Sequence, residues 1–201
     1  MADVVKPIFK TNRIVWVSHD EKGLEILKKA GIECFSFPSL IKENTIYSNP
    51  ALTAREVALK LSEKKAADVG NIYTDLYTIS AQQAIECNGK VLKQPECIED
   101  VLNDFKTLNG QKYTLYTAIT VYRKLKKVWQ DIKSIQLTRK YMTDKQIHYF
   151  VVKNGPSMLG VLGSVRLDEF PDIVEEKKLD FDLISGIPVK DITHFFKSLR
   201  K

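Results

Sequence analysis

Apolar and polar positions along this chain follow two periods and switch between them in order. Residues 13–17 (Arg-Ile-Val-Trp-Val) are a short β-branched run that predicts a buried strand. A polar turn of Ser18, His19, Asp20 and Glu21 follows. Leu24, Leu27 and Ala30 then recur at helical spacing up to Gly31, a C-cap signal. Residues 32–37 alternate as a second strand, and residues 38–52, with Pro38, Asn44 and Asn49-Pro50, are loop-like. Thr53 and Glu56 form a capping box, and Val57, Leu59, Leu61, Ala66 and Ala67 carry the next helix to Val69.

Residues 72–86 predict a strand that turns at Asn88-Gly89, a strong hairpin signal, into a return arm over residues 90–92. Ile98, Val101, Leu102 and Phe105 mark an amphipathic helix ending near Asn109-Gly110. Two long β-rich arms, residues 113–125 and 129–141, are joined at Lys126-Lys127. Thr143 caps a helix through Val152, which Asn154-Gly155-Pro156 stops. Residues 157–188 are punctuated by Gly and Asp and predict loops and short strands. Pro188 opens a last helix whose apolar face is Ile192, Phe195, Phe196 and Leu199. A strand–helix–strand opening with further helices and strands after it predicts an α/β fold.

Composition sharpens this picture in a few places. With 44% hydrophobic and 28% charged residues among 201, the chain has enough apolar surface for a packed core. No apolar run approaches the roughly 20 residues that cross a bilayer, so no membrane partner is expected. Residues 1–12 read as an N-terminal extension without the apolar stretch of a secretory signal. Cys34, Cys87 and Cys97 are odd in number and form no C-x-x-C pair, which predicts reduced thiols and a cytoplasmic location. His19, His148 and His194 are scattered, and there is no P-loop, G-x-G-x-x-G or G-x-S-x-G. The net charge of +6 suits anionic partners. Arg123, Lys124, Lys126, Lys127, Lys133, Arg139 and Lys140 cluster around the long hairpin, with Tyr122 and Trp129 among them. Such a cluster can hold nucleic acid. The reading preferred here is a solvated hairpin whose lysines guard an edge strand. Tyr113, Tyr116 and Tyr122 fall at strand period and predict packing rather than base stacking.

Longer stretches carry a resemblance. Residues 80–95 (Ser-Ala-Gln-Gln-Ala-Ile-Glu-Cys-Asn-Gly-Lys-Val-Leu-Lys-Gln-Pro) look like the segment G-A-D-T-V-V-x-x-D/N-G-x-x-L-G-K-P of the Maf family, without a gap. Residues 108–118 are similar to its L-S-G-R-T-H-x-V-Y-T-G. Residues 25–32 resemble its E-L-L…x-G-I helix end, residues 55–66 its R-E-x-V…L-A-x-x-K-A, and Gly186-Ile187-Pro188 its G-L-P. The resemblance runs over roughly residues 13–200 in the family's order. It implies a two-lobed α/β fold of the Maf and inosine-triphosphatase kind, with a mixed twisted sheet and a central cleft in a single domain, residues 13–201. It also implies cleavage of a nucleoside triphosphate to the monophosphate and pyrophosphate, with Mg²⁺ or Mn²⁺ as cofactor, in a chain that can form a homodimer.

The same resemblance shows which chemistry is missing. The Asp of G-A-D-T, the family's carboxylate, falls on Gln82, a neutral amide that is no base near pH 7 and a poor Mg²⁺ ligand. The Lys of L-G-K-P is Gln94, and the Arg of S-G-R-T is Gln111 with Lys112 beside it. The S-x-S-P-R-R loop falls on residues 18–23, which keep Ser18 and one cation, Lys22, and add two acids. The D-K-A-G-x-Y run falls near Met158-Leu159, and the Arg of R-x-L-S falls on Lys140. The implied site is therefore Gln82 in the catalytic position, with Ser18, Lys22, Gln94, Gln111, Lys112 and Lys140 toward the nucleotide. No metal ligand is assigned. The expectation is a family member that has lost catalysis and serves as a nucleotide-binding or interaction protein. The alternatives are an active pyrophosphatase using substitutes such as Asp20, Glu21, Asp180 and Asp182, or a basic nucleic-acid-binding module.

Overall fold

A computed structural model describes residues 13–18, 21–164 and 166–199; the N-terminal extension, His19 and Asp20 lie outside these. Ile14, Val15 and Trp16 form β1 (Ile14–Trp16), buried on both faces. It pairs in parallel with β2 (Phe35–Ser36) on one side and β3 (Tyr77–Cys87) on the other. Burial on both faces explains why β1 reads as a continuous apolar run rather than an alternating one. The chain crosses from β1 to β2 through α1 (Glu21–Lys29), and from β2 to β3 through α2 (Asn44–Tyr47) and α3 (Ala54–Gly70). Asn88 and Gly89, with φ of 50° and 74°, turn β3 into β4 (Lys90–Leu92). After α4 (Ile98–Leu108), β5 (Lys112–Arg123) pairs antiparallel with β3, and β6 (Lys126–Thr138) pairs antiparallel with β5. The result is a mixed sheet in the order β2-β1-β3-β5-β6, with β4 paired on β3. Then come α5 (Asp144–Asn154), three 3-10 turns, α6 (Phe181–Ile184) and α7 (Val189–Ser198).

The predicted capping box at Thr53 forms, and the predicted cap Thr143 forms one as well. Thr53 Oγ1 accepts from the Glu56 amide while Glu56 accepts from the Thr53 amide, and Thr143 and Gln146 do the same at α5. Several boundaries move. The strand over residues 32–37 contracts to Phe35–Ser36, since β1 offers it few residues to pair with. The loop of residues 38–52 contains α2, whose Ile46 and Tyr47 are buried against α3; burial rather than periodicity makes that turn. Residues 72–76 precede β3 instead of starting it. The long hairpin turns at Lys124-Leu125, with φ of 50° and 59°, whereas Lys126 and Lys127 already pair with Arg123 and Tyr122. A two-residue turn with both residues left-handed matches the twist of the arms. Residues 157–188 hold 3-10 turns and α6 rather than strands, apart from one bridge between Arg139 and Val174.

The sheet's two faces are built differently. On one, Ala84 of β3 and Ala118 of β5 pack on Val57, Ala58 and Leu61 of α3, and the buried Ser62 and Thr120 hydroxyls lie 2.8 Å apart. On the other, period-two alternation supplies two separate cores. Ile79, Ile119 and Val121 join Trp16, Leu27 and Phe196 at one end. Ile85, Tyr113 and Leu115 join Val101, Phe105 and Leu137 at the other. Between them the paired residues Gln83 and Thr117 form a polar seam, and both side chains donate to the Leu183 carbonyl, at 2.7 and 3.1 Å. This seam separates the two lobes.

Candidate functional site

Strand β3 pairs with β5 along most of its length, but its opposite edge is divided. Residues 77–79 pair with β1 and residues 85–87 with β4, so residues 80–84 face neither strand. The chain also leaves β1 toward β2 on one side and returns as β3 on the other. Crevices at such switch points, beyond the carboxyl end of a parallel strand, are where open α/β sheets bind ligands. A cavity of about 240 Å³ lies there. Ser18 lines it from the end of β1, Gln82 and Gln83 from the divided edge, Gln94 from the segment after β4, and Arg139 from the end of β6.

Alternation along β3 turns Gln82 to the α3 side. Its Oε1 accepts from Lys65 Nζ at 3.0 Å, and its Nε2 donates to the Ala81 carbonyl at 2.6 Å. Lys65 also pairs with Glu43 Oε1 at 2.6 Å, and the second carboxylate oxygen, Glu43 Oε2, is buried without an acceptor-to-donor partner among the described residues. Gln82 is thus an amide fixed by hydrogen bonds, next to an ammonium that is already neutralised. Lys22 is committed to Asp168 at 2.5 Å and Glu169 at 3.0 Å. Hydrogen bonding to Asp168, then to Glu169, raises its pKa against the cost of burial. These bonds pin the loop after residue 165 onto the first turn of α1.

The structure brings Ser18, Gln82 and Gln94 to one cavity. Gln111 sits outside it at the β5 edge, its Oε1 3.4 Å from Asn88 Nδ2, and Lys112 is exposed beside it. Lys140 is exposed and borders a groove with Phe170 and Ile173. Asp180 caps α6, and Asp182 accepts the Lys190 amide at 3.0 Å; neither they nor Glu21 line the cavity. Two site residues have no place in the implied set: Lys65 and Glu43. The signal for Lys65 was present, because it occupies the Lys of the L-A-x-x-K-A pattern. Glu43 lies in the stretch read as loop, where nothing in the spacing marks it. Arg139, expected on the solvated hairpin, is buried at 2% exposure instead. Three other cations of that cluster are individually engaged. Lys127 pairs with Glu63 at 2.8 Å, Lys133 with Asp191 at 2.5 Å, and Arg123 lies 4.3 Å from the Tyr77 ring centroid.

A divalent cation does not fit the donors present. Hard cations take several oxygens, with carboxylates foremost. Here Gln82 offers an amide oxygen already bonded to an ammonium, and that ammonium occupies the space between Gln82 and Glu43. Among the described residues no group of three or more His, Cys, Asp or Glu could hold a metal ion.

The Maf-like protein family matches residues 14–199. The chain belongs to that family. Among curated Maf-like relatives it is 29% identical over 191 residues to the dTTP/UTP pyrophosphatase of Aquifex aeolicus, covering 94% of this chain and 95% of that one. It is 23% identical over 175 residues to a nucleoside triphosphate pyrophosphatase of Nitrobacter winogradskyi, covering 86% and 87%. A HAM1 protein from Coxiella burnetii, known from its solved structure, is similar at 12% identity with a TM-score of 0.42, covering 92% and 98%. No helix among the described residues of this Maf-like chain is long and apolar enough to cross a membrane.

Proposed function

We propose that this Maf-like chain is a catalytically degenerate member that binds nucleotides without hydrolysing them at an enzymatic rate. One observation carries the reading: Gln82 is locked between Lys65 and the Ala81 carbonyl, at 3.0 and 2.6 Å, where hydrolysis calls for an ionised carboxylate. An amide there neither takes a proton from water nor holds a cation. Attack on a triphosphate also needs positive charge at the phosphates. Around Gln82 that charge is already engaged, with Lys65 bound to Glu43 and Lys22 to Asp168 and Glu169, while Arg139 and Arg166 also line the cavity. Recognition survives such losses better than catalysis does. Ser18, Gln83 and Gln94 line the cavity with polar side chains of the kind that recognise an uncharged base or sugar. The activities of its relatives make nucleoside triphosphates, such as dTTP and UTP, the first ligands to try.

Calorimetric titration with a panel of nucleoside mono-, di- and triphosphates tests the reading. Saturable binding by wild type that weakens at least tenfold in Gln94→Ala supports it. No binding to any nucleotide removes it, and leaves an interaction protein that uses other surfaces.

A further inference from the structure

Strand β6 forms one border of the sheet, with β5 on one side and no strand on the other. Its register with β5 fixes which backbone groups face outward. The Arg139 amide donates to the Gln111 carbonyl at 3.0 Å, so odd-numbered residues of β6 at this end bond to β5. Even-numbered residues then turn their amides and carbonyls to the open side. Two of them show it directly. The Thr138 amide donates to the Glu176 carboxylate at 2.9 Å, and the Ile132 amide donates to Asp131 Oδ1 at 2.8 Å. The backbone groups of Gln130, Ser134 and Gln136 face the same way, without a partner among the described residues.

A sheet edge pairs with another strand unless it is short, twisted away or masked by charge. Both ends of β6 are protected. A bulge at Val128, opposite the step from Val121 to Tyr122, twists one end. Residues 174–176 cover the other through the Arg139–Val174 bridge and the bonds at Thr138. Residues 129–136 between them are open, and Lys133, Ser134 and Gln136 are exposed. The charges on this stretch are of opposite sign, since Asp131 and Lys133 alternate onto one face of the strand.

That pair of charges selects a partner and a register. With a second copy laid antiparallel and Ile132 on the two-fold axis, Asp131 of each strand stands opposite Lys133 of the other. Trp129 then faces Ile135, and the outward backbone groups of Gln130 meet those of Ser134, so the new bonds fall where donors and acceptors are free. Moving the axis one residue, to Asp131 or to Lys133, sets a like charge against itself, which disfavours pairing. The stretch 129–135 is centred on Ile132 and fits between the bulge and the covered end.

We propose that the open edge of β6 is a self-association surface, to which a second copy of this chain adds its own β6 antiparallel through residues 129–135. Asp131 exchanges its bond to the Ile132 amide for one to Lys133 of the second copy, and the freed Ile132 amides donate to carbonyls across the axis. None of residues 129–136 lines the cavity, so the proposal does not rest on the nucleotide reading.

Sedimentation velocity of the full chain over a concentration series tests it, on wild type, Ser134→Pro, Asp131→Lys, Lys133→Asp and the double exchange. Wild type should show a monomer–dimer equilibrium that weakens as salt is raised. Ser134→Pro removes an outward amide without touching the ladder to β5 and should weaken association by about tenfold or more. Asp131→Lys and Lys133→Asp each set like charges across the axis and should weaken it about tenfold. The double exchange restores opposite charges and should return association to within about threefold of wild type. Circular dichroism checks that each variant is folded. Where Lys133→Asp loses its fold along with its bond to Asp191, Asp131→Lys and Ser134→Pro carry the test. A wild type that stays monomeric at every concentration overturns the proposal and leaves the edge to a strand from a different protein. A dimer that none of these variants weakens overturns it too, by placing the contact elsewhere, and so does a folded double exchange no better than the singles.

Discussion

At the scale of single residues, the proposal turns on Gln82, which is one methylene longer than the aspartate that the resemblance puts there and carries a neutral amide held by Lys65 and the Ala81 carbonyl. Gln82→Asp alone should restore little pyrophosphate release, because the new carboxylate would pair with Lys65, which Glu43 already neutralises. Gln82→Asp with Gln94→Lys should raise release above the sum of the singles, since grouped catalytic residues act non-additively. Both positions line the cavity, whereas Gln111 stands outside it, so adding Gln111→Arg should contribute nothing further. A pyrophosphate-release assay under identical metal measures all four, and an additive outcome would show that the two positions do not share a site. Much of this site was legible in the sequence, because the gap-free match over residues 80–95 fixes Gln82 and Gln94 in register. Arg139 was not legible. A cation amid six others on a hairpin reads as solvated, and only the pairing of Arg139 with Val174 and the turn at Gly163 bury it.

At the scale of elements, the helices that position the site rest on local signals that the sequence states openly. The Thr53 capping box starts α3, and α3 carries Lys65 to Gln82. Thr53→Ala should cost about 1 kcal/mol, read from the urea midpoint at unchanged slope. The turn at Gly186 closes the cavity over Gln83, with φ of 76° and only 3.0 Å between an added Cβ and Gln83 Cδ. Gly186→Ala should therefore destabilise by roughly 1–2 kcal/mol from the backbone alone. A variant as stable as wild type would show that the turn relaxes freely. Elements held by tertiary burial were the ones the sequence hid. Helix α2 and the 3-10 turns over residues 155–173 have neither a clear period nor a cap, and they exist because Ile46, Met158 and Ile173 find cores to enter. The strand alternation was readable, but the division of β3's edge between β1 and β4, which opens the cavity, depends on long-range pairing.

At the scale of the whole molecule, two cores meet at a polar seam, and the charged groups around it make stability depend on pH. Burial pushes the Asp104 carboxyl up to about 6 from 3.8, against the opposing pull of Ser164 and Arg139. An acid whose folded pKa is raised keeps its proton longer in the native state. Stability should therefore fall as pH rises from about 4 to about 6. Asp104→Asn should flatten that part of the unfolding profile, and an unchanged slope would place the titration elsewhere. The match over residues 14–199 places the chain among Maf-like proteins, and the proposal is that its own residues no longer supply catalysis. The most direct test of that claim is pyrophosphate release by the wild-type chain from dTTP, UTP and the other nucleoside triphosphates, with Mg²⁺ and with Mn²⁺. The account predicts no release above the enzyme-free reaction for any of them. Turnover on the order of one per second or faster, an ordinary enzymatic rate, would contradict it and assign catalysis to residues other than Gln82.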